Sequence, residues 1–598
     1  MLNELHEYAK KSGFAALPGY KEKLVKAYIR LTDAGEFAGI DSGGPEKVPC
    51  PDIGSTANGT DKCNFLVEKA EIVLLMDLKR QMKHDFFLSL LERGAQVEPR
   101  FALCRAALTD PEVLGSIRQE FLDRKFKGGD TVGFKVAGRT LEQTDDYRAW
   151  WDEVRREFET KPKPGGDIPL CFITGELTEP VSTVPKVSGL LSVGGHTAGD
   201  ALICFDKDAF CSYGFEQAMN AAVSEEGIVT VNAALSGLLA GAPTLGGGKF
   251  LHWYKNSLPM ERDPLAALFP DFGGPRAEDA PEEEAPEVNF LTEAQKATAL
   301  IESLRKGSYP EELDNIYYIL TLSGANGRIM VRDWQQGSYD ELRRGIVAWF
   351  DDLRIVQPNG NALSQPPKLF ALQIRLLRKE NSSKSLSKRI AEELSGLTDR
   401  ILFSIIHCRS LPDAVATRAL ATIRSGMMAS DDDQTQSPDC LACQLIKAWL
   451  IRRQRERNEE VTVSEKVNAL STSIPYQIGR MMAVYAAIQR DALGNVNAGV
   501  VERYYGAAIT SPALVLGQLS KLCTHHLSKM ENQRYANAFR RRLQAIAVNI
   551  PVNPPATLSL EEQGQFALGY YQENADIYAR KESKAAAESD NTNEEEIP

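Results

Sequence analysis

The sequence predicts an α+β protein: a mixed α/β N-terminal region with short antiparallel strands, followed by an all-α C-terminal helical bundle. Three observations predict it. Short apolar runs punctuated by glycine fill residues 168–210. Two β-like segments, IYYILTLS and RIMVRDW, flank the turn GANG. Beyond Ser338 the apolar residues recur almost everywhere at helical spacing.

Taken in order, Leu24, Tyr28 and Leu31 have the spacing of a helix over residues 20–31, and residues 86–91 continue another such pattern. Residues 39–64, rich in Gly, Pro, Asp and Ser, read as strands with a long exposed loop. Residues 109–161 read as helical until Pro162 and Pro164 break the pattern and Gly165 and Gly166 switch it. Residues 170–174 and 201–206 are short strands, with Gly189, Gly194, Gly195 and Gly199 as turns. Residues 213–239 read as helix and lead into a flexible loop, GAPTLGGGK. The Pro/Glu-rich stretch 271–286 cannot bury a core and is the clearest linker. Helices then follow over 339–353, 367–379, 387–403, 413–425, 440–457, 475–492 and 512–549, with a disordered acidic tail from Ser583.

At 598 residues the chain exceeds one hydrophobic core, so about three or four domains are expected. The divisions fall at 1–165, 166–260 (β-rich), 261–293 (acidic linker), 294–425, 426–582 (helical bundle) and 583–598 (tail). With 43% hydrophobic and 25% charged residues, the composition is that of an ordinary globular protein. The opening MLNELHEYAKKSGF carries charges where a signal peptide needs an apolar run, so export is not expected. The longest uncharged stretch, 227–248, is interrupted by Asn232, Pro243 and several glycines, which excludes a membrane span. Ten scattered cysteines read as reduced thiols of a cytoplasmic protein. Cys440 and Cys443 form the one CxxC, with no second pair nearby to complete a zinc site; His525 and His526 read as helix residues, one packed and one exposed. No metal and no cofactor are expected.

The net charge of −12 hides an asymmetry. Residues 361–550 hold 26 Lys and Arg against 16 Asp and Glu, while acid gathers in residues 261–293 and the tail. Such an excess marks a basic surface that suits nucleic acid, or simply a solvated helical face.

Several motifs bear on chemistry. Gly246, Gly247, Gly248 and Lys249 resemble a phosphate loop but fail its pattern, because Phe250 follows the lysine and Pro243 stands at the first glycine position. Such a loop can approach a DNA backbone closely or be a plain turn. In residues 209–226, Gln217 and Asn220 are residue types that pair with base edges, and Tyr213 can stack; an amphipathic helix with ordinary caps accounts for the same segment. Glu216, Glu225 and Glu226 lack the accompanying His or Cys–His constellation that acid/base catalysis needs. Arg328 and Arg332 share one face of a strand, suited to phosphate or to salt bridges with Asp333 or Asp340. Arg452, Arg453, Arg455 and Arg457, with Arg540, Arg541 and Arg542, form basic clusters that fit a backbone track or a solvated face.

The segments ITGELTEPVSTVPKVSGL, ALICFDKDAFCSYGFEQAMNAAVSE, SGANGRIMVRDW, IPYQIGRMMAVYAAIQ, ERYYGAAITSPALVLGQLSKLCTHHLSKM and LSLEEQGQFALGYYQE occur in this order. Together they resemble the large subunit of the type I-C CRISPR interference complex (Cascade), the Dvulg subtype. The resemblance implies a non-enzymatic subunit that reads the protospacer-adjacent motif in double-stranded DNA, helps open the duplex and supports docking of the helicase–nuclease. It implies as partners the CRISPR RNA-bound backbone subunits, the target duplex with its displaced single strand, and a C-terminal small subunit made by internal translation. Met427, Met428, Met481 and Met482 are candidate internal starts. In this setting Lys186, Gln217, Asn220 and Gly246 to Lys249 are candidates for reading the motif. Arg328, Arg332, Arg452, Arg453, Arg540, Arg541 and Arg542 are candidates for the backbone. The other readings are a metal-dependent nuclease or hydrolase built on Asp/Glu clusters, for which no known spacing stands out, and an assembly scaffold without DNA contact.

Overall fold

The computed structural model describes residues 1–14, 17–54, 57, 59–158, 168–181, 183–205, 207–210, 217–269, 290–307, 310–379, 383–429, 437–494 and 499–594. The chain forms two compact units: Met1–Leu239 with Gly324–Met330, and Ala240–Ser323 with Val331–Pro598. The expected divisions near 166 and 426 fall inside these units.

The first unit opens with α1 (Leu2–Ser12), then β1 (Tyr20–Leu24), β2 (Ala27–Leu31), β3 (Phe37–Ser42), β4 (Lys47–Pro51) and β5 (Glu68–Lys69). Then come α2 (Ala70–Val73), α3 (Gln81–Gly94), α4 (Arg100–Thr109), α5 (Pro111–Asp123), β6 (Thr131–Val136), β7 (Arg139–Thr140), α6 (Arg148–Arg156) and α7 (Glu225–Ala240). β1 pairs with β4, and a second sheet runs β3-β2-β6-β5 with β7 beside β6. The helix expected over residues 20–31 is therefore two strands. Leu24, Tyr28 and Leu31 do have helical spacing, but Val25, Ala27 and Ile29 are buried as well. A chain apolar on both sides suits β2, which pairs antiparallel with β3 on one edge and parallel with β6 on the other. The expected helical run 109–161 likewise gives way to β6 and β7 in its middle.

The core of this unit is aromatic. Phe65 stacks on Trp151 at 5.4 Å and meets Phe101 edge-on at 5.2 Å. Among the described residues of 168–205, isolated bridges stand where strands were expected, with Gly189, Gly194 and Gly199 at φ of 108°, 88° and 84°. Turn chemistry was legible there; regular strands did not form.

The second unit contains β8 (Thr244–Leu245), β9 (Gly248–Tyr254), α8 (Phe290–Lys306), most of the hairpin β10 (Ile316–Ala325) and β11 (Arg328–Ser338), and α9 (Tyr339–Leu353). It continues with α10 (Leu369–Ile374), α11 (Leu386–Ile406), α12 (Asp413–Met427), α13 (Cys440–Glu456), α14 (Ile474–Leu493), α15 (Val500–Ala508), α16 (Leu516–Lys529), α17 (Gln533–Ala547) and α18 (Leu560–Glu594). Side-chain caps start several helices: Ser338 on α9, Ser385 on α11, Asp439 on α13, Ser473 on α14 and Asn532 on α17 each accept a first-turn N–H.

Two departures from expectation stand out. The linker expected from residue 261 begins as core: Asp263 accepts from Tyr254 Oη and pairs with His252, each at 2.6 Å, while Leu265 and Leu268 are fully buried. Residues 270–289, with most of the acidic run, lie outside the described residues. At the C-terminus α18 continues to Glu594, so the expected structureless tail is largely helical backbone.

Glycine permits the crossing of α14 and α18. A Cβ on Gly479 would lie 2.0 Å from Phe566 O, and one on Gly569 would lie 2.1 Å from Tyr476 O. The backbones touch, and polar groups lock the seam: Tyr476 Oη donates to Gln572 at 2.7 Å, and Arg480 to the buried Glu573 at 2.8 Å. Arg542 of α17 meets the same Glu573 and also Asp576.

Candidate nucleic-acid interface

In the first unit three short segments lie side by side. Val187 and Asp200 exchange backbone hydrogen bonds of 2.8 Å, and Ala201 bonds Gly327 and Ile329 at 2.8 and 2.9 Å. The arrangement gathers Lys186 and Arg328, singled out for different roles, onto one patch. Lys186 is exposed and makes no ion pair among the described residues. Asn232 Nδ2 donates to Pro185 O at 2.8 Å and fixes the chain just before it.

The exposed loop 194–198 beside them was legible as turns at Gly194 and Gly195 but was not singled out as a contact. Buried Asp200 holds it, accepting the His196 N–H on both carboxylate oxygens at 3.2 and 3.1 Å. Gly195 lies against the hairpin tip, where a Cβ on Gly324 would sit 2.1 Å from Gly195 Cα. The pattern GGHTAGD, glycines closing on a buried carboxylate, was the available signal. Gln217 and Asn220 occupy a 3₁₀ turn leading toward α7, whose end is anchored by Phe172 N to Ala222 O at 2.8 Å. Tyr213 and Glu216 lie outside the described residues.

The glycine loop of the second unit is a defined turn. Gly246 and Gly247, at φ of 53° and 84°, form the two-residue turn of the β8–β9 hairpin. The turn packs on α11: a Cβ on Gly246 would lie 2.7 Å from Ser395 O. A Cβ on Gly248 would lie 2.7 Å from Thr321 Cγ2, and Lys249 Nζ donates to Ala242 O at 3.3 Å. The glycines serve the turn and its packing.

The arginine clusters divide sharply. Arg452 is buried and donates to the fully buried Asp352 at 2.8 Å, which Arg455 also meets at 2.7 Å. Arg453 pairs with Asp413 and Glu561, and Arg457 reaches Glu561 at 2.9 Å. Lys447 on the same helix donates to Asp352 O at 2.9 Å, and burial pushes its ammonium down to about 8. Thus the run IRRQRER is ion-paired to α9, α12 and α18 and is not a free track. Charges on several faces do not mark a solvated helix when the neighbouring helix supplies a buried carboxylate.

Of the second cluster, Arg542 is tied to Glu573 and Asp576, but Arg540 and Arg541 are exposed. They belong to a larger surface. Residues 516–547 hold six Lys and Arg and one acid, Glu531. Lys521, Lys529, Arg534, Arg540 and Arg541 are all exposed, and none forms an ion pair among the described residues. Arg332 of β11 is also exposed; its Nε donates to Ser323 Oγ at 2.7 Å instead of pairing with Asp333 or Asp340. Asp340 is engaged by Arg343 and Arg344.

Cys443 is fully buried and Cys440 accepts from Tyr571 Oη at 3.0 Å, so the CxxC faces helix packing. His526 is buried and His525 exposed, as their spacing suggested. Among the described residues no group of three or more His, Cys, Asp or Glu is arranged to hold a metal ion, and no helix is long and apolar enough to cross a membrane.

The family model of CRISPR-associated protein (Cas_Csd1) matches residues 2–578. The chain belongs to this family. The match takes in both units, including the Lys186–Arg328 patch and the basic α16–α17 surface, and it places the protein among the subunits of multi-subunit CRISPR complexes. No curated protein sequence matches the chain.

Proposed function

We propose that this protein is the non-catalytic large subunit of a type I-C CRISPR RNA-guided surveillance complex. In this reading it recognises the protospacer-adjacent motif in double-stranded DNA, promotes R-loop formation and supports recruitment of the helicase–nuclease. The observation that carries it is the α16–α17 surface, five exposed cations with one acid in 32 residues. Such a surface attracts a phosphate backbone without regard to sequence, which suits a subunit whose specificity is delegated to guide pairing. The Lys186–Arg328 patch with loop 194–198 supports a second, smaller contact, where a glycine loop can come close to a duplex groove.

An internally translated small subunit is best served by Met427 or Met428. Starting there keeps α13 to α18 whole. Starting at Met481 or Met482 cuts α14 in its middle and removes Tyr476, Gly479 and Arg480, the α14 side of its seam with α18.

The test is duplex binding by the guide-loaded complex carrying Arg540→Glu and Arg541→Glu. The proposal expects weaker binding and a shallower salt dependence. Unchanged affinity and slope would remove its main support, and magnesium-dependent cleavage by the purified chain would favour a nuclease instead.

A further inference from the structure

A second group of exposed arginines lies elsewhere in the second unit. β11, α11 and the 409–414 turn line a cleft of about 1010 Å³. Arg332, Arg400 and Arg409 stand in its wall, all exposed and none in an ion pair among the described residues. Phe403 lies among them and is 47% exposed, unusual for a phenylalanine on a helix whose other large apolar side chains are mostly buried. His407 backs its ring at a centroid distance of 4.5 Å and is itself held by Gln335 at 3.2 Å.

Four carboxylates also line the cleft, and three of them have a hydrogen-bond or ion-pair partner. Asp413 is paired with Arg453, Glu456 accepts from Ser410 Oγ, and Asp333 accepts from Gln335 Nε2. The fourth, Asp399, is pushed up to about 6 by burial and by Asp333, against the opposing pull of Arg332. Arg332, Arg400 and Arg409 are thus the lining guanidiniums that form no ion pair among the described residues, and the exposed ring lines the same cleft. A face that offers guanidiniums and an aromatic surface together suits phosphate and base in alternation.

We propose that this cleft binds a single strand of DNA, with Phe403 as the stacking platform for one base and Arg332, Arg400 and Arg409 as phosphate partners. The assignment deepens the duplex-opening reading and rests on it, since opening is what supplies a single strand.

The test is fluorescence anisotropy of a short labelled oligo(dT), and of the same strand made abasic, on the full chain. Phe403→Ala should weaken oligo(dT) binding by about tenfold, leave the abasic strand unchanged, and be rescued by Phe403→Trp. Arg400→Ala with Arg409→Ala should reduce the salt slope by about 1.4 for both strands. Arg540→Glu with Arg541→Glu should lower the slope but preserve the preference for bases over the abasic strand. A Phe403→Ala chain that retains this preference overturns the proposal, as does an aspartate-rich peptide that occupies the cleft in preference to oligo(dT). Motif-dependent duplex opening by the complex assembled with wild-type chain tests the underlying reading separately. Opening that never needs the chain contradicts that reading, whereas retained base preference in Phe403→Ala contradicts the cleft alone.

Discussion

α13 and the pair α16–α17 are both arginine-rich helical regions of the same unit, and they use arginine in opposite ways. At the end of α13 and just past it, each arginine of IRRQRER meets a carboxylate, one of them the fully buried Asp352. On α16 and α17, Arg542 is so engaged, and the remaining cations face solvent with no ion partner among the described residues. The density of positive charge along the chain does not separate the two cases. The position of the carboxylates does: α13 faces Asp352, Asp413 and Glu561 from three other segments, while residues 516–547 bring only Glu531.

The largest expected effect breaks the structural half of this comparison. Glu573→Ala leaves the guanidiniums of Arg480 and Arg542 without their shared buried carboxylate and should cost about 3–5 kcal/mol in urea unfolding of the chain. Asp352→Ala should act similarly on Arg452 and Arg455, with a loss of about 3 kcal/mol. The functional half should respond in the other observable. Arg540→Ala with Arg541→Ala should change stability by no more than about 0.5 kcal/mol. The same pair should lower the salt slope of duplex binding by about 1.8. If the α13 residues moved the salt slope and the α17 residues moved stability, the division would be wrong.

A smaller effect concerns Asp399. Its carboxyl is raised from the ordinary 3.8 to about 6, so between about pH 4 and pH 6 the folded chain holds a proton that the unfolded chain has lost. Its contribution to stability therefore falls as pH rises through that window and is fully unfavourable above it. Asp399→Asn should flatten this segment of the pH–stability curve measured by thermal melts. A curve parallel to the wild type would show that the carboxyl titrates normally.

Most of the helical half was legible in the sequence. The α9 span was read to the residue, and α12 to within two, because long 3.6-residue periodicities leave little freedom. The strands of residues 20–31 were not, since three apolar residues at helical spacing are too few to exclude a strand buried on both faces. Lys186, Arg328, Arg540 and Arg541 were picked out by residue type, and the structure keeps all four at or near exposed surface. Arg452 was misjudged because its partner Asp352 lies 100 residues away in sequence. Arg400, Phe403 and Arg409 were missed for the converse reason. Each is an unremarkable single residue until α11 and β11 bring them to one cleft with Arg332.

The most direct measurement is target-duplex opening by a guide-loaded type I-C backbone complex, with and without this chain, while the flanking trinucleotide is varied. The account predicts opening that requires both the chain and one particular trinucleotide, and that weakens when Arg540 and Arg541 are reversed in charge. Opening that proceeds equally well without the chain, or with any trinucleotide, would contradict it.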